Sequence, residues 1–198
     1  MGDLLITIPA RKGSKGVRNK NTRRLCGKKL LDWTCEFALD NFDCDIVLTT
    51  DIDSYTPPGG IYKLKRLPLL CDDRSLAHYV WKHACFEAQR HFHGNWQYHI
   101  YLEPTCPLRE KEDVTRCLKA IEGNTRKSAF TVSHSPVKFQ RMFCLTDNDT
   151  VIAGADDSEA LFKNTPRQQL KGNSYFVKNG ACYAKTASHL MTTNNHGS

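Results

Sequence analysis

The sequence predicts an α/β fold with three layers, a mostly parallel sheet with helices on both faces. Two observations lead to this class: short apolar runs alternate with amphipathic helical segments, and no internal repeat or long linker interrupts that order. Strands separated by helices pair in parallel, because no tight hairpin joins them. At 198 residues the chain fits one domain of ordinary size. We therefore predict a single domain over residues 1–198, with an irregular segment at about 136–180.

The first two thirds of the chain supply four strand candidates and three helix candidates. Short apolar runs, as in buried parallel strands, are found at residues 4–10, 45–51, 98–104 and 128–134. Apolar residues at helical spacing are found at residues 28–42, 74–92 and 110–122. In the second helix candidate the apolar residues at every fourth position are Leu76, Val80, Ala84 and Ala88.

The remaining segments are less regular. Residues 57–60 read Pro-Pro-Gly-Gly, so the stretch that follows Asp51 cannot be helical at its centre. Residues 144–157 suggest a hairpin or an insertion, residues 155–160 the start of a helix, and residues 181–186 a late strand.

Composition indicates a soluble globular protein with an anionic partner. Apolar residues make up 40% of the chain and charged residues 25%, and no apolar run approaches the ~20 residues of a membrane span. Nine cysteines, an odd number, occur without a Cys-x-x-Cys pair or a secretory signal, which predicts a cytoplasmic protein with reduced thiols. The formal net charge is +7, which favours binding to an anion.

The basic residues are concentrated in one loop after the first predicted strand. Seven of the 28 lie between Arg11 and Arg24, and no aromatic residue is interleaved for base stacking. This pattern favours capture of phosphate at one place over binding along a nucleic-acid strand. Open parallel sheets bind ligands beyond the carboxyl ends of their strands, which is where this loop lies.

Residues 8–21, IPARKGSKGVRNKN, have the composition of a phosphate-binding loop. Gly13 and Gly16 allow backbone N–H groups to approach an anion, and Ser14 adds a hydroxyl donor. The cations placed to neutralise phosphate charge are Arg11, Lys15 and Lys20. Because the spacing matches neither the P-loop nor Gly-x-Gly-x-x-Gly, a merely solvated basic loop stays open as the alternative.

The same loop resembles the signature of the acylneuraminate cytidylyltransferases, the CMP-sialic acid synthetase family. The family pattern Ala-Arg-x-Gly-Ser-Lys-Gly, followed by Lys-Asn, is filled from Ala10 to Asn21. Other stretches are similar to family elements in the same order: LTTD at 48–51, LEPTCPLR at 102–109, HSPVK at 134–138, PRQQL at 166–170 and NGACY at 179–183. The resemblance extends from residue 4 to about residue 183.

The resemblance implies one nucleotidyltransferase domain with the Rossmann-like fold of nucleotide-diphospho-sugar transferases. Members of the family transfer CMP from CTP to an acidic sugar of the sialic or nonulosonic acid type and release pyrophosphate. The ligands implied are thus CTP and an acidic sugar, with Mg²⁺ as the cofactor. A homodimer is the usual assembly in the family. Neither nucleic acid nor a membrane is expected as a partner.

The residue roles that the resemblance implies fall into four groups. As catalytic residues, Arg11 and Lys15 would hold the β- and γ-phosphates and Lys20 the α-phosphate. Residues expected to bind the nucleotide are Ala10, Gly13, Ser14, Asn21, Arg66, Ser75, Glu103 and Thr105. Residues expected to bind the sugar are Lys138, Arg167, Gln168 and Asn179. The expected metal contact is Asp51.

Several of these residues have a simpler explanation. Arg66 could be a solvated strand end, and Lys138 a plain surface lysine. Asp51, at the end of a strand, could only cap the next turn. His91 and His93 have metal-ligand spacing, but without a cluster of acidic or thiol groups they are better interpreted as a surface pair at a helix end.

The chain also departs from the family pattern. Glu103 stands where the family has Gln, and a carboxylate there either accepts from the cytosine amino group or marks another ligand. Val177 and Lys178 replace an Arg-Pro pair, which loses or shifts a sugar-binding cation. No Asp-x-Asp stretch follows residue 186, so the metal would come with the nucleotide phosphates, be held by Asp51 or Asp53, or be absent. Two alternatives stay open: a nucleotide-binding module with impaired catalysis, and a nucleotidyltransferase for a different acceptor.

Overall fold

The computed structural model describes residues 3–14, 16–72, 74–123, 126–135, 143–145, 151–153 and 176–193. The chain divides into two compact units, the first formed by Met1–Thr131 with Asn179–Ser198 and the second by Val132–Lys178. This division does not test the expectation of a single domain, which stays a prediction. None of the helices in the described ranges combines the length and the apolar character that a bilayer crossing requires.

The elements follow the alternating order that the sequence predicts. The strands are β1 (Leu4–Ala10), β2 (Arg24–Leu25), β3 (Lys28–Lys29), β4 (Asp45–Thr50), β5 (Tyr62–Lys65), β6 (Tyr98–Tyr101), β7 (Ser128–His134), β8 (Phe143–Leu145), β9 (Val151–Ala153) and β10 (Phe176–Thr186). The helices are α1 (Leu30–Asn41), α2 (Ala77–Phe92), α3 (Lys111–Ile121) and α4 (Ala187–Thr192). Two short 3-10 turns lie at Lys20–Thr22 and Pro68–Leu70.

A six-stranded sheet forms the centre of the first unit, in the order β5-β4-β1-β6-β10-β7. Strand β1 pairs in parallel with β4 and β6, and β4 pairs in parallel with β5. Strand β10 runs antiparallel to β6. The parallel strands therefore end at one edge of the sheet, which we call the carboxyl edge, and the prediction of a mostly parallel sheet is confirmed.

Side chains of the sheet are buried on both faces because successive residues of a strand point to opposite sides. In β1, Ile6 and Ile8 lie in one apolar cluster and Leu5 in the other. Helices α1 and α3 cover the first face with Leu31, Cys35, Ala38, Val114, Cys117 and Ile121. Helices α2 and α4 cover the second face with Trp81, Ala84, Cys85, Ala88 and Leu190. The predicted three layers are therefore confirmed.

Two details of the first unit differ from the sequence prediction. Leu76 does not belong to the buried face of α2: it precedes the helix in an extended conformation and is 56% exposed. Strand β5 was not expected, because its four residues Tyr-Lys-Leu-Lys follow a Pro-Gly segment and form a short basic strand at the sheet edge. This strand matters for the site, since it sets the position of Arg66.

In the second unit, β8 and β9 pair antiparallel with Phe143 opposite Ala153, which agrees with the hairpin of the two alternatives, a hairpin or an insertion, that the sequence left open. The predicted helix start at residues 155–160 lies outside the described residues.

Candidate functional site

A cleft of about 490 Å³ opens at the carboxyl edge of the sheet, and we call it the edge cleft. It is formed by the loop after β1, the segment after β5 and the segment after β6. Eight residues that the sequence assigns to the phosphate or nucleotide site line it: Arg11, Ser14, Lys20, Asn21, Arg66, Ser75, Glu103 and Thr105. Three separate stretches of sequence are therefore brought together at one place in the fold.

The loop after β1 is held by two hydrogen bonds, one to the residue that follows β4 and one between two residues of the loop itself. The backbone N–H of Lys12 donates to Oδ1 of Asp51 at 2.6 Å, and Nδ2 of Asn21 donates to the carbonyl of Arg11 at 3.0 Å. Gly13 has φ of +73°, a left-handed conformation that glycine adopts without steric cost. The loop then enters the short 3-10 turn that begins at Lys20. These contacts hold Arg11 and Lys20 on one wall of the edge cleft.

Arg66 lies on the cleft wall beyond the end of β5 and is 5% exposed. Its Nη2 donates to the carbonyl of Thr49 at 2.8 Å, and its backbone N–H donates to the carbonyl of Thr50 at 2.9 Å. Burial lowers the pKa of the guanidinium, while Tyr101 and Asp51 act in the opposite direction. Because the group is buried and bonded, its interpretation as a solvated strand end is wrong. The cleft thus contains a fixed cation that an anion can approach.

Ser75 lies near Arg66 in the lining of the cleft, in the segment that leads to α2. Its Oγ lies 2.7 Å from Oδ1 of Asp72 and 3.1 Å from the carbonyl of Leu69, so its proton is directed at one of these acceptors. The lone pairs of the hydroxyl then remain able to accept from a ligand amino group.

Glu103 lies at the other end of the edge cleft, just beyond β6. Its Oε2 accepts from Oγ1 of Thr105 at 3.4 Å. Burial raises the pKa of the Glu103 carboxyl, and the Thr105 hydrogen bond with the charges of Lys20 and Arg109 acts against that rise. The carboxyl group is therefore part of the cleft wall and lies close enough to Lys20 for the two charges to interact.

Arg109 holds the backbone behind Glu103 and is 7% exposed. Its Nη2 donates to the carbonyl of Glu103, its Nε to the carbonyl of Ala181 at 2.9 Å, and its Nη1 to Oγ1 of Thr34 at 3.0 Å. It thus joins the end of β6 to β10 and α1. No role was predicted for Arg109 from the sequence, although its position at the end of LEPTCPLR was a signal.

Gly180 in β10 lies against the Glu103 carboxylate. It has φ of +76°, and a Cβ at this position would lie 2.9 Å from Oε2 of Glu103. The close approach of β10 to Glu103 therefore requires glycine. The sequence analysis missed this position as well, although the Asn-Gly dipeptide was a signal for a special backbone conformation.

Asn179, expected to bind the sugar, is used within the sheet. Its Oδ1 accepts from Oγ1 of Thr131 and from the backbone N–H of Ala181, and its carbonyl accepts from Sγ of Cys106 at 3.0 Å. It does not line the edge cleft. Nor do Ala10, Gly13 and Asp51, which lie at the ends of β1 and β4 beside it. Lys15, Lys138, Arg167 and Gln168 lie outside the described residues.

Metal-binding groups are sparse in the described ranges, where no cluster of three or more His, Cys, Asp or Glu side chains is placed to hold an ion. One carboxylate oxygen of Asp51 accepts a hydrogen bond from the backbone N–H of Lys12, and Oδ1 of Asp53 lies 3.7 Å from Nζ of Lys65. His91 stacks on Tyr62 with ring centroids 3.7 Å apart, in agreement with a surface pair at a helix end. Among the described residues, the edge cleft therefore offers a divalent ion few protein ligands.

Comparison of the sequence with known proteins identifies relatives in one protein family. A sequence profile described as cytidylyltransferase matches residues 5–166. N-acylneuraminate cytidylyltransferase from Escherichia coli O18:K1:H7 is 32% identical over 188 residues, 92% of this chain and 44% of that protein. CMP-N,N'-diacetyllegionaminic acid synthase from Legionella pneumophila is 29% identical over 198 residues, 95% of this chain and 80% of that protein. The chain thus spans less than half of the first relative's length and four fifths of the second's.

The fold is shared with a solved structure. CMP:2-keto-3-deoxy-manno-octonic acid synthetase complexed with CTP superposes with a TM-score of 0.58 at 18% identity, covering 95% of this chain and 76% of that one. The cytidylyltransferase profile extends over most of the sequence. This chain belongs to the cytidylyltransferase family.

Proposed function

We propose that the chain transfers CMP from CTP to an acidic sugar of the sialic or nonulosonic acid type and releases pyrophosphate. One observation carries the proposal: Arg11, Lys20 and Arg66 converge on a single cleft at the carboxyl edge of a parallel sheet. The names of the relatives support this choice, since one is an N-acylneuraminate cytidylyltransferase and another a CMP-N,N'-diacetyllegionaminic acid synthase.

The loop after β1 binds the triphosphate in this proposal. Arg11, Lys20 and Ser14 line the same wall of the edge cleft, and Lys15 belongs to the same loop. The positive charges of Arg11, Lys15 and Lys20 and the hydroxyl of Ser14 stabilise the negative charge that develops on the departing pyrophosphate. Asn21 supports them by holding the carbonyl of Arg11. The loop thus promotes the reaction by positioning and electrostatics, as phosphoryl-group transfer generally requires.

The opposite wall binds the nucleoside. Arg66 is fixed by Thr49 and can donate to a carbonyl oxygen of the base or to a ribose oxygen. Ser75, whose proton is directed at Asp72 or Leu69, can accept from the exocyclic amino group of cytosine. A thymine or uracil ring has a carbonyl at that position and would leave the Ser75 oxygen without a donor.

Mg²⁺ is part of the proposal as an ion that arrives with the triphosphate. Mg²⁺ commonly takes one or two carboxylates and substrate phosphate oxygens as ligands, and we assign this role to Asp51, which directly follows β4. When bound, the ion would neutralise triphosphate charge. In Asp51→Asn, Oδ1 remains able to accept from Lys12, so the loop contact is kept while the charge is removed. We expect the CTP-induced rise in Tm to lose its Mg²⁺ dependence in this variant.

The direct test is release of pyrophosphate from CTP and Mg²⁺ with a panel of sugar acids. We expect release with at least one sialic or nonulosonic acid, and loss of release in Arg11→Ala. Arg18→Ala is the matched control, because Arg18 is in the same loop but is exposed and does not line the cleft. Binding of CTP without release of pyrophosphate with any acceptor would instead support the nucleotide-binding module with impaired catalysis.

A thermal-shift screen of nucleoside triphosphates identifies the base that the cleft prefers, since a bound ligand raises Tm.

The proposal includes a homodimer in the cytoplasm. Light scattering on the purified chain tests the first part, with a dimer mass expected at micromolar concentration. Fractionation of the source cells tests the second.

A further inference from the structure

Two cysteines meet between helix α3 and strand β10, outside the lining of the edge cleft. Cys117 on α3 and Cys182 on β10 are both buried, and both belong to the apolar cluster on the first face of the sheet. Their thiols share a hydrogen bond. The two sulfur atoms are therefore neighbours in the folded chain, although the residues lie far apart in the sequence.

The backbone around this pair is held by hydrogen bonds from other elements. Arg109, just before α3, donates from Nε to the carbonyl of Ala181 at 2.9 Å, next to Cys182. The backbone N–H of Cys182 donates to Oγ1 of Thr131 on β7 at 3.0 Å. Since these bonds hold β10 against both α3 and β7, they keep the two thiols within reach of each other.

The two thiols differ in how readily they lose a proton. The hydrogen bond from Cys182 lowers the pKa of the Cys117 thiol, while burial and the charge of Asp113 act against this fall. The same hydrogen bond and burial raise the pKa of the Cys182 thiol, and the nearby charge of Arg109 acts against that rise. Because the thiolate is the reactive form of cysteine, Cys117 is suited to react first and Cys182 to react second.

We propose that Cys117 and Cys182 are a reversible oxidation site, at which hydrogen peroxide converts the two thiols into a disulfide. The sulfur of Cys117 attacks one peroxide oxygen, the O–O bond breaks, and the other oxygen leaves as water. The sulfur of Cys182 then attacks the sulfur of Cys117. An S–S bond forms, the S–O bond breaks, and the oxygen leaves as water with the proton of the Cys182 thiol. Two thiols and one peroxide thus give one disulfide and two water molecules, and a dithiol reductant reverses the change.

The disulfide would join α3 to the strand that lies against Glu103. Cys182 is two positions after Gly180, whose backbone approaches the Glu103 carboxylate. The cross-link would also close a long loop and so restrict the unfolded chain. We therefore expect oxidation to raise the Tm by about 5 °C or more. Neither CTP nor an acceptor takes part, so this inference can fail without affecting the proposed function.

Peptide mapping tests the cross-link directly. The folded parent chain is treated with hydrogen peroxide, its remaining thiols are blocked in denaturant with N-ethylmaleimide, and it is digested with trypsin without reductant. Residues 117–119 and 179–185 form separate tryptic peptides, because each segment follows a basic residue and ends in lysine. We expect to find these peptides joined, in protein that runs as a single chain on a non-reducing gel. Dithiothreitol should separate the peptides and return the Tm to its starting value.

Variants of the two cysteines give a second readout. Cys117→Ala and Cys182→Ala should each lose both the joined peptide and the rise in Tm on oxidation. Cys26→Ala is the matched control, because Cys26 is exposed in the turn between β2 and β3 and its removal should change neither result. If a variant of the buried pair does not fold, the peptide map of the parent chain decides by itself.

Three results would overturn the inference. The first is recovery of both peptides with free thiols after a peroxide treatment that has oxidised Cys26. The second is a link from Cys182 to Cys106, whose Sγ lies 3.0 Å from the carbonyl of Asn179 on the same strand. The third is a link between Cys117 and Cys182 that forms only when the peroxide is added in denaturant, because the fold would then not bring the two thiols together.

Discussion

Each end of the edge cleft has a buried arginine beside it, and the two arginines serve different purposes. Arg66 is 5% exposed and Arg109 is 7% exposed, and burial lowers the pKa of both guanidinium groups. Arg66 lines the cleft, whereas Arg109 lies behind its wall. Residue type, burial and the direction of the pKa shift are therefore the same at both positions, and they do not distinguish a ligand-binding group from a structural one.

The hydrogen-bond partners make that distinction. Within the described part of the chain, the side chain of Arg66 donates its hydrogen bonds to Thr49, near the end of the neighbouring strand. Arg109 donates from three nitrogens to three elements: the end of β6, β10 and α1. A guanidinium whose donors all point into the fold stabilises the fold, and one held mainly at a single strand end beside a cleft can still bind an anion. We therefore expect replacement of Arg109 to lower mainly the stability of the fold, and replacement of Arg66 to weaken mainly the binding of the ligand.

The largest effect is expected for Arg109→Ala. Removing the side chain leaves the buried carbonyl of Ala181 and the hydroxyl of Thr34 without this donor, which should lower the free energy of unfolding by about 3 kcal/mol. For a chain of this size the Tm should fall by about 6–12 °C. Thermal unfolding followed by circular dichroism measures this fall in Tm. Arg116→Ala, an exposed arginine of α3, is the control and should leave Tm unchanged. Equal Tm values for both variants would remove the distinction between the two arginines.

Arg66→Lys tests the other arginine with the charge retained. The arginine side chain can bond to Thr49 and at the same time present a planar set of donors to the nucleotide, and a lysine side chain cannot do both. The Kd for CTP is therefore expected to rise by about 10- to 100-fold. Isothermal titration calorimetry measures the change, and Lys65→Ala, exposed at the adjacent position, is the control. A variant that loses stability but binds CTP normally would place Arg66 in the same class as Arg109.

The parts of the site that the sequence predicted are those carried by consecutive residues. The loop from Arg11 to Asn21 follows directly on a strand, and its composition is readable without knowing the fold. The alternation of apolar runs and helical spacing predicted the sheet and its three layers, because burial on both faces requires it. The same spacing misplaced Leu76, since periodicity does not show where a helix begins.

The parts that the sequence did not predict depend on residues far apart in the chain. Arg109 bonds to Ala181 across 72 positions, and the importance of Gly180 arises from a contact with Glu103. No local pattern encodes such pairs. The burial of Arg66 likewise depends on β5, a short basic strand whose composition is typical of a surface loop. Resemblance to a family suggested Arg66, but only the fold explains why it is held in place.

Gly180→Ala tests the backbone that lies against Glu103. Alanine there must adopt φ of +76° and would place its Cβ 2.9 Å from Oε2 of Glu103, so the carboxylate has to move. The left-handed backbone alone should cost about 1–2 kcal/mol. Gly123→Ala carries the same kind of backbone penalty, with φ of +60° and no atom within 4 Å of the added Cβ. We expect similar losses of stability for both variants, but a loss of pyrophosphate release only for Gly180→Ala. Full activity of Gly180→Ala would show that the position of Glu103 is unimportant.

Asn21→Ala should have the smallest effect and tests whether the phosphate end depends on its backbone contacts. Asn21 is 6% exposed and donates to the carbonyl of Arg11 at 3.0 Å, so its loss removes one neutral hydrogen bond of about 1 kcal/mol. Because that bond holds the loop in the shape that binds the triphosphate, we expect the Kd for CTP to rise by about 5-fold while the Tm without CTP falls by only a few degrees. Asn95→Ala, an exposed asparagine away from the edge cleft, should change neither value. If Asn21→Ala binds CTP as tightly as the parent, then the loop keeps its shape through its other contacts, among them the hydrogen bond from Lys12 to Asp51.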